Sequence, residues 1–311
     1  MKAVRYHEYG SSTVLHYEDA ERPVAGPGQV LLRVAATSFN PVDAAIRAGY
    51  LQQAFALRLP HTPGLDVSGT VTVPGDGVNN VSVGEEVVGF LAMHADGAAA
   101  DYVVAPAEVL SAAPRTIALT DAASMPAVAL SAWQALFEHA DLRAGQRVLI
   151  NGAGGAGGGY AVQLAKQAGA VVTATAGPRS RGRVRSYGAD QLIDYTSTSV
   201  PAAVAQPVDV VLNLATVPAA ELSALLALVR PGGVFVTTVP PGPEAAGGDV
   251  RVVSMFVHAD AGQLAGLVAK VDAGELHVDV AATRPLTDLR AVHEQSDAGT
   301  LPGKVVLTPV T

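Results

Sequence analysis

Residues 148–166 decide the fold, and they read Val148-Leu149-Ile150-Asn151-Gly152-Ala153-Gly154-Gly155-Ala156-Gly157-Gly158-Gly159-Tyr160-Ala161-Val162-Gln163-Leu164-Ala165-Lys166. The stretch begins as an apolar run typical of a buried strand and passes through a dense glycine turn. It then becomes an amphipathic helix, for which Gly169 supplies a C-terminal stop. A second apolar run follows at residues 170–174, so the sequence predicts a strand–helix–strand unit.

Glycines between a strand and a helix allow the backbone to approach a phosphate, because no Cβ stands in the way. The N–H groups of the first helical turn then point at the anion, and the helix dipole favours negative charge there. This layout predicts a site for a dinucleotide pyrophosphate. Two glycine frames are open, one ending on Gly157 and the other on Gly158. The predicted binding residues are Gly152, Gly154, Gly155, Ala156, Gly157 and Gly158.

The composition excludes several classes of protein. The 311 residues carry a formal net charge of −8, which argues against nucleic acid as a partner. There is no cysteine, and the eight histidines are scattered, so we expect no metal site. No apolar stretch reaches the roughly 20 residues that span a bilayer, and the charged start Met1–Glu8 is unlike a signal peptide. We expect a cytoplasmic enzyme with no membrane partner.

Two domains are expected from the change of pattern along the chain. Residues 1–118 contain short strands separated by Gly and Pro turns, which predicts a barrel-like β domain. Residues 119–259 alternate strands and helices, which predicts an α/β domain with a doubly wound parallel sheet. Residues 260–311 hold a helix and a terminal strand, and we expect them to fold back onto the first part. The α/β domain would then be an insertion in a catalytic domain formed by residues 1–118 and 260–311.

The predicted strands of the α/β domain are Val148–Ile150, Val171–Ala174, Gln191–Asp194, Val208–Leu212, Val234–Thr237 and Val250–Val257, with helices near 158–168, 180–187 and 219–229. The last of these strands is expected at the edge of the sheet. Pairing of this edge with a second subunit would give a homodimer.

The segment after the second strand of this domain indicates which nicotinamide cofactor binds. An acidic residue normally holds the ribose 2′-hydroxyl of NAD there, about 20 residues beyond the glycines. This chain has no acid in the segment before Asp190. Guanidinium groups match the geometry of a 2′-phosphate, so the segment favours NADPH. The alternative is a solvated arginine face on a surface helix. The residues assigned to this part of the site are Ala176, Gly177, Arg179, Ser180 and Arg181, with Arg183 left open.

The sequence resembles the zinc-independent quinone oxidoreductases of the medium-chain dehydrogenase/reductase superfamily, the zeta-crystallin-like group. The resemblance covers essentially the whole chain, and the segments that carry it are Gly26-Pro27-Gly28-Gln29-Val30-Leu31, Asn40-Pro41-Val42-Asp43, Pro63-Gly64-Leu65-Asp66-Val67-Ser68-Gly69, Leu130-Ser131-Ala132-Trp133, the glycine turn, Tyr187-Gly188-Ala189-Asp190, Arg230-Pro231-Gly232-Gly233 and Gly303-Lys304-Val305-Val306. It implies a GroES-like β-barrel catalytic domain with an inserted Rossmann domain. Zinc-dependent relatives carry Cys at the position of Asn40 and His-Glu at Leu65-Asp66, so the resemblance also implies that no catalytic zinc binds.

The resemblance implies the reduction of a quinone or an α,β-unsaturated carbonyl by NADPH. By the family pattern, Asn40 and Asp43 lie near the nicotinamide and its ribose, Ser131 lies near the diphosphate and nicotinamide, and Tyr195 packs at the adenine side. The remaining implied cofactor residues are Leu214, Ala215, Thr238, Val239, Phe256 and Val257. Simple structural roles remain open for Asn40, as a turn residue, and for Tyr195, as a packing residue.

Two proton donors are compatible with the sequence. Some relatives carry a Tyr two residues after the aspartate of the Asn-Pro-x-Asp turn, where this chain has Ala45. Tyr50 is the nearest comparable hydroxyl and is a candidate, while solvent is the alternative donor. Two other functions are also open: an enoyl-thioester reductase of a biosynthetic pathway, and a catalytically idle NADPH-binding protein of the crystallin type.

Overall fold

A computed structural model describes residues 1–244 and 249–310. In these ranges the strands are β1 (Lys2–Arg5), β2 (His16–Asp19), β3 (Gln29–Ser38), β4 (Asp66–Pro74), β5 (Glu86–Phe90), β6 (Tyr102–Pro106), β7 (Leu110–Ala112), β8 (Arg147–Asn151), β9 (Val171–Thr175), β10 (Gln191–Ile193), β11 (Val208–Asn213), β12 (Val229–Thr237), β13 (Arg251–Ser254), β14 (Ala282–Pro285) and β15 (Val305–Thr308). The α-helices are α1 (Pro41–Arg47), α2 (Leu119–Ala122), α3 (Pro126–Trp133), α4 (Ala156–Gln167), α5 (Arg181–Ser186), α6 (Val200–Ala203), α7 (Ala219–Leu226), α8 (Ala261–Asp272) and α9 (Leu289–Asp297).

The chain divides into two compact units. Unit 1 comprises Met1–Ala127 and Ala259–Thr311, and unit 2 comprises Val128–His258. The boundaries predicted from the sequence were 118/119 and 259/260. In the structure, residues 119–127, which include α2, belong to unit 1 instead of the α/β unit.

Unit 2 contains a six-stranded parallel sheet in the order β10-β9-β8-β11-β12-β13. Counted from β8, this is the order 3-2-1-4-5-6, in which the strand order reverses between β8 and β11. The strands read as continuous Val, Ile and Leu runs because helices cover both faces of such a sheet. Leu149, Phe235 and Leu225 are almost completely buried in its core.

Unit 1 is built on a seven-stranded sheet in which β14, β15, β3, β4, β5 and β7 follow one another and β6 also pairs with β3. The C-terminal strand β15 lies antiparallel to β3, with Val306 opposite Ser38. Val30, Leu32 and Val67 belong to one of its cores, and Phe39, Leu289 and Val305 belong to another.

The sequence missed several elements of unit 1. Residues 40–43 were expected to be a turn, but Asn40 is the N-cap of helix α1, whose first residue is Pro41. Proline suits that position because the first helical N–H has no partner within the helix. Helix α9 was also missed, although Leu289, Val292 and His293 share its buried face.

In unit 2, the edge strand expected at Val250–Val257 is shorter than predicted and spans only Arg251–Ser254.

Within residues 1–244 and 249–310, no helix has the length and apolar character that crossing a membrane requires.

Candidate cofactor site and buried polar cluster

The glycine turn between β8 and α4 has the geometry that a dinucleotide site requires. Gly152 has a φ of +87°, a left-handed conformation that glycine adopts without strain. A Cβ at Gly158 would lie 2.4 Å from Ala153 Cα and 2.5 Å from the Gly152 carbonyl oxygen. Gly158 therefore allows helix α4 to pack closely against the turn, which is the role of the third glycine in this motif. Of the two glycine frames, the structure favours the one that ends on Gly158.

The start of helix α4 presents its backbone donors in the expected way. Gly155 is the N-cap, and the first N–H to bond four residues back is that of Gly159, which donates to the Gly155 carbonyl at 3.1 Å. The N–H groups of Ala156, Gly157 and Gly158 come before that bond, in the first turn, where the N–H groups of any helix have no partner within the helix. These residues fit a pyrophosphate, which would be held by backbone N–H groups and the helix dipole.

The segment after β9 forms the next part of the predicted site. Ala176 is buried and donates its N–H to the Ile193 carbonyl at 3.0 Å. A Cβ at Gly177 would lie 3.3 Å from the Tyr195 hydroxyl, so Tyr195 lies directly beside Gly177. Tyr195 is 58% exposed, which leaves much of its ring accessible.

The arginines of this segment differ in their surroundings. Arg179 and Arg181 are exposed, Ser180 precedes helix α5, and Ser180 Oγ lies against the turn, 2.3 Å from a Cβ built at Gly154. Arg183 donates to the Gly154 carbonyl at 2.8 Å. This bond gives Arg183 a role in holding the turn, whichever cofactor binds.

Asp190 and Asp194, the first acidic residues after the glycine turn, both accept hydrogen bonds from other parts of unit 2. Asp190 accepts from Lys166 Nζ at 2.7 Å and from the Val172 N–H at 2.7 Å. Val172 lies near the amino end of β9, so Asp190 lies at the opposite end of the strand from the arginines. Asp194 follows β10, and its Oδ1 accepts from both the N–H and the hydroxyl of Thr196, at 3.0 and 2.6 Å.

The loops after β11 and β12 lie at the carboxyl edge of the same sheet, where this fold binds ligands. Leu214 donates its N–H to the Asn151 carbonyl at 2.9 Å, and Thr238 donates to the Asn213 carbonyl at 3.2 Å. Ala215 lies beside the glycine turn, since a Cβ at Gly152 would be 3.2 Å from its N. Val239 follows in the loop after β12, so these implied cofactor residues lie on neighbouring loops.

Unit 1 contains a buried polar cluster around Asp66, which is completely buried. Asp66 Oδ2 accepts from Ser38 Oγ at 2.5 Å, from Asn40 Nδ2 at 2.8 Å and from Lys304 Nζ at 3.2 Å. Asp66 Oδ1 accepts from the Ala127 N–H at 2.7 Å. Lys304 also donates to Asn40 Oδ1 at 2.6 Å, so the Asn40 amide is held at both ends.

Asp43 is also buried and lies beside this cluster. Its Oδ2 accepts from the Asn40 N–H at 2.8 Å, and its Oδ1 accepts from the Gly64 N–H at 3.3 Å. Burial raises the pKa of the Asp43 carboxyl to about 7, because the two backbone donors only partly replace lost hydration and Asp66 adds a second negative charge nearby. Asp43 therefore changes protonation close to neutral pH.

The residues of this cluster do not fit a zinc ion. The Lys304 ammonium occupies the cluster with its own positive charge, which opposes the binding of a second cation. Among the residues that the structure describes, no group of three or more His, Cys, Asp or Glu side chains is arranged to hold a metal ion.

The other predicted residues have different exposures. Tyr50 follows helix α1 and is 84% exposed, whereas Asn40 and Asp43 are each 4% exposed. Ser131 is part of helix α3, and Phe256 and Val257 follow β13. Phe256 is 45% exposed.

The sequence analysis missed Ser38 and Lys304 as members of the cluster. Lys304 belongs to one of the segments that carry the family resemblance, and a lysine that is buried beside an apolar terminal strand needs an acceptor. Asp66, at the start of β4, is the charge that supplies it.

Comparisons with known proteins agree with this architecture. Residues 26–115 match the family described as Alcohol dehydrogenase GroES-like domain, and residues 187–307 match the family described as Zinc-binding dehydrogenase. The chain is 31% identical to the chloroplast envelope quinone oxidoreductase homolog of Arabidopsis thaliana, in a match that covers 99% of this chain and 98% of the relative. A match at 37% identity to the chloroplastic quinone-oxidoreductase homolog of Spinacia oleracea covers 63% of this chain and 61% of the relative.

Two solved structures extend the comparison. The quinone oxidoreductase from Coxiella burnetii is 28% identical, with a TM-score of 0.91 and coverage of 100% of this chain and 99% of that chain. A mycobacterial protein complexed with NADPH is 25% identical, with a TM-score of 0.87 and coverage of 99% of this chain and 100% of that chain.

Proposed function

Because the chain belongs to the zinc-independent quinone oxidoreductases of the medium-chain dehydrogenase/reductase superfamily, we propose that it transfers a hydride from NADPH to a quinone or an α,β-unsaturated carbonyl. The observation that carries the choice of cofactor is the segment after β9. Arg179 and Arg181 are exposed there, and Asp190 lies at the other end of the strand, paired with Lys166. The segment therefore offers positive charge to a 2′-phosphate.

Bound NADPH would supply the hydride, and the side chains of this chain would bind and orient the reactants. The turn after β8 holds the diphosphate on backbone N–H groups. Asn40 and Asp43 are the residues that we assign to the nicotinamide end, on the resemblance described above. The Asn40 amide cannot rotate freely because Asp66 and Lys304 hold its two ends. Such fixed dipoles need no reorganisation during the reaction.

The cofactor assignment is tested with the variants Arg181→Ala and Arg179→Ala. Loss of a charged hydrogen bond to phosphate costs about 1.5–3 kcal/mol, so we expect KM for NADPH to rise roughly 10- to 100-fold with little change for NADH. Arg185→Ala is the matched control, since Arg185 is exposed in the same short helix but lies one turn further on. Equal effects of all three variants, or equal use of NADH by the wild type, would mean that these arginines are only surface charge.

The acceptor class is tested by following NADPH oxidation with a panel of quinones, alkyl enones and enoyl thioesters. Turnover of quinones or enones supports the proposal, and turnover of thioesters alone would favour a biosynthetic enoyl reductase. NADPH binding without turnover on any acceptor would favour an idle binding protein.

We also propose a homodimer formed through the edge strand β13. This strand ends the sheet order of unit 2, and its Val252 and Val253 are half-buried. Light scattering after size exclusion would contradict this proposal if it gave the mass of a monomer at micromolar concentration.

The cytoplasmic location stays a prediction, to be tested by cell fractionation.

A further inference from the structure

Four buried polar side chains lie in a row across the carboxyl ends of four neighbouring strands. They are Thr175 at the end of β9, Asn151 at the end of β8, Asn213 at the end of β11 and Thr237 at the end of β12. Their exposed fractions are 1%, 4%, 0% and 0%. Polar groups this deep in a sheet destabilise it unless they are hydrogen-bonded.

The four side chains are bonded to one another in sequence. The Thr175 hydroxyl donates to Asn151 Oδ1 at 2.9 Å, and Asn151 Nδ2 donates to Asn213 Oδ1 at 2.8 Å. Asn213 Nδ2 then donates to Thr237 Oγ1 at 3.2 Å. We call this series, Thr175-Asn151-Asn213-Thr237, the strand-end chain.

The strand-end chain also bonds to the backbone of the loops that follow β8, β11 and β12. Gly152 donates its N–H to Thr175 Oγ1 at 2.9 Å, which fixes the first residue of the glycine turn. Asn213 Nδ2 donates to the Ala215 carbonyl at 3.0 Å. Val239 donates its N–H to Thr237 Oγ1 at 3.1 Å. Three separate loops are thus held by one connected set of side chains.

The polar groups of the strand-end chain bond to one another and to loop backbone, which argues against direct contact with a ligand. Each asparagine carbonyl accepts one bond within the chain, and each amide nitrogen donates within it. Both threonine hydroxyl oxygens accept a loop N–H. Because each of the four side chains is also at most 4% exposed, we expect the strand-end chain to act on a ligand through the loops that it holds.

We propose that the strand-end chain is a positioning device that presets the three loops for the cofactor as one unit. This inference rests on the proposed function, since Gly152, Ala215 and Val239 belong to the cofactor site assigned there. Loops that are already held in place lose less conformational freedom when a ligand binds. The four side chains thus raise cofactor affinity without touching the cofactor.

The test removes one hydroxyl at a time by Thr175→Val and Thr237→Val, which keep the side-chain shape. We expect the Kd for NADPH, measured by fluorescence titration, to rise about tenfold in each, because each substitution removes both a bond within the strand-end chain and the bond that holds a loop N–H. Thr175→Ser restores the hydroxyl and should restore the affinity. Thr173→Val is the matched control, because Thr173 lies in the same strand and its hydroxyl donates to Gln191 Oε1, at 3.4 Å, which is outside the strand-end chain.

The decisive measurement is the double variant Thr175→Val/Thr237→Val. If the chain acts as one unit, breaking it twice costs little more than breaking it once, so the Kd should rise about tenfold in total. Independent sites would give about a hundredfold rise, which would overturn the inference. The melting temperature of each variant without cofactor identifies any that fail to fold, and the single Thr→Val variant at the other end of the chain then carries the test. We expect kcat to change less than about twofold, because the chain does not touch the reacting atoms.

Failure of the proposed function gives a different result. If the wild type binds neither NADPH nor NADH, the assignment of the site is wrong. If the wild type binds NADPH and both Thr→Val variants bind it equally well, only the positioning role is wrong.

Discussion

The ion pair between Lys304 and Asp66 gives the sharpest prediction about stability. Both side chains are almost completely buried, at 3% and 0% exposed. The variant Lys304→Met keeps the length of the side chain but leaves the Asp66 carboxylate without its counter-charge. It also removes the donor to Asn40 Oδ1. Breaking a buried pair by removing one partner costs about 3–5 kcal/mol.

Lys166→Met is the matched control. Lys166 makes a shorter contact, 2.7 Å to Asp190, but the two side chains are 30% and 43% exposed. Water screens such a pair, so its loss should cost about 1 kcal/mol or less. Both variants replace a lysine by methionine, and the two ion pairs differ mainly in how far their side chains are buried.

The assay is thermal and urea unfolding at pH 7, followed by far-UV circular dichroism, which reports on both units. For a unit of this size the predicted cost corresponds to a fall in Tm of about 10 °C for Lys304→Met and of a few degrees at most for Lys166→Met. Equal losses in the two variants, or a larger loss in Lys166→Met, would refute the argument that burial decides the cost.

Three further predictions concern pH and packing. Burial lowers the pKa of His61 to about 4 and that of His293 to about 3, so the unfolded chain takes up these protons first and stability should fall as pH drops from 6.5 to 4. His61→Gln and His293→Gln should flatten this slope in urea midpoints, and an unchanged slope in both variants would contradict the reasoning. The raised pKa of Asp43 acts in the opposite direction, so its part of the stability falls as pH rises from 4 to 7 and levels off above 7; Asp43→Asn should remove that part, and an unchanged slope would contradict the assignment. Gly158→Ala should lower Tm strongly because its Cβ would lie 2.4 Å from backbone, whereas Gly157→Ala has nothing nearer than 4.0 Å and should be tolerated.

The α/β unit was predictable because its signals are local. The strands from β8 to β12 were found from their apolar runs, and the glycine turn identified the first of them. A parallel sheet covered by helices on both faces requires continuous apolar strands, so its buried strands can be recognised from the sequence as apolar runs. The two edge strands were predicted too long, β10 by one residue and β13 by four, because an edge strand has only one neighbour to fix its ends.

The buried cluster of unit 1 was less predictable because its contacts are distant in sequence. Lys304 and Asp66 are 238 residues apart, and no periodicity relates them. Helix α1 was read as a turn because Asn and Pro favour both structures. In the helix, Asp43 returns its carboxylate to the Asn40 N–H, a capping interaction that only the folded chain distinguishes from a turn.

The cluster contains two buried carboxylates but only one lysine. Lys304 lies 3.2 Å from Asp66, so its charge is used there. Asp43 has two backbone N–H donors, and the negative charge of Asp66 opposes its ionisation. Because burial raises the pKa of the Asp43 carboxyl to about 7, the protonation of Asp43 contributes to the net charge of the cluster near neutral pH. Because its carboxylate also caps helix α1 at Asn40, a change in that charge acts at the residue whose amide is fixed between Asp66 and Lys304. The pH dependence of Asp43→Asn therefore reports on the same hydrogen-bonded group that we assign to the nicotinamide end of the site.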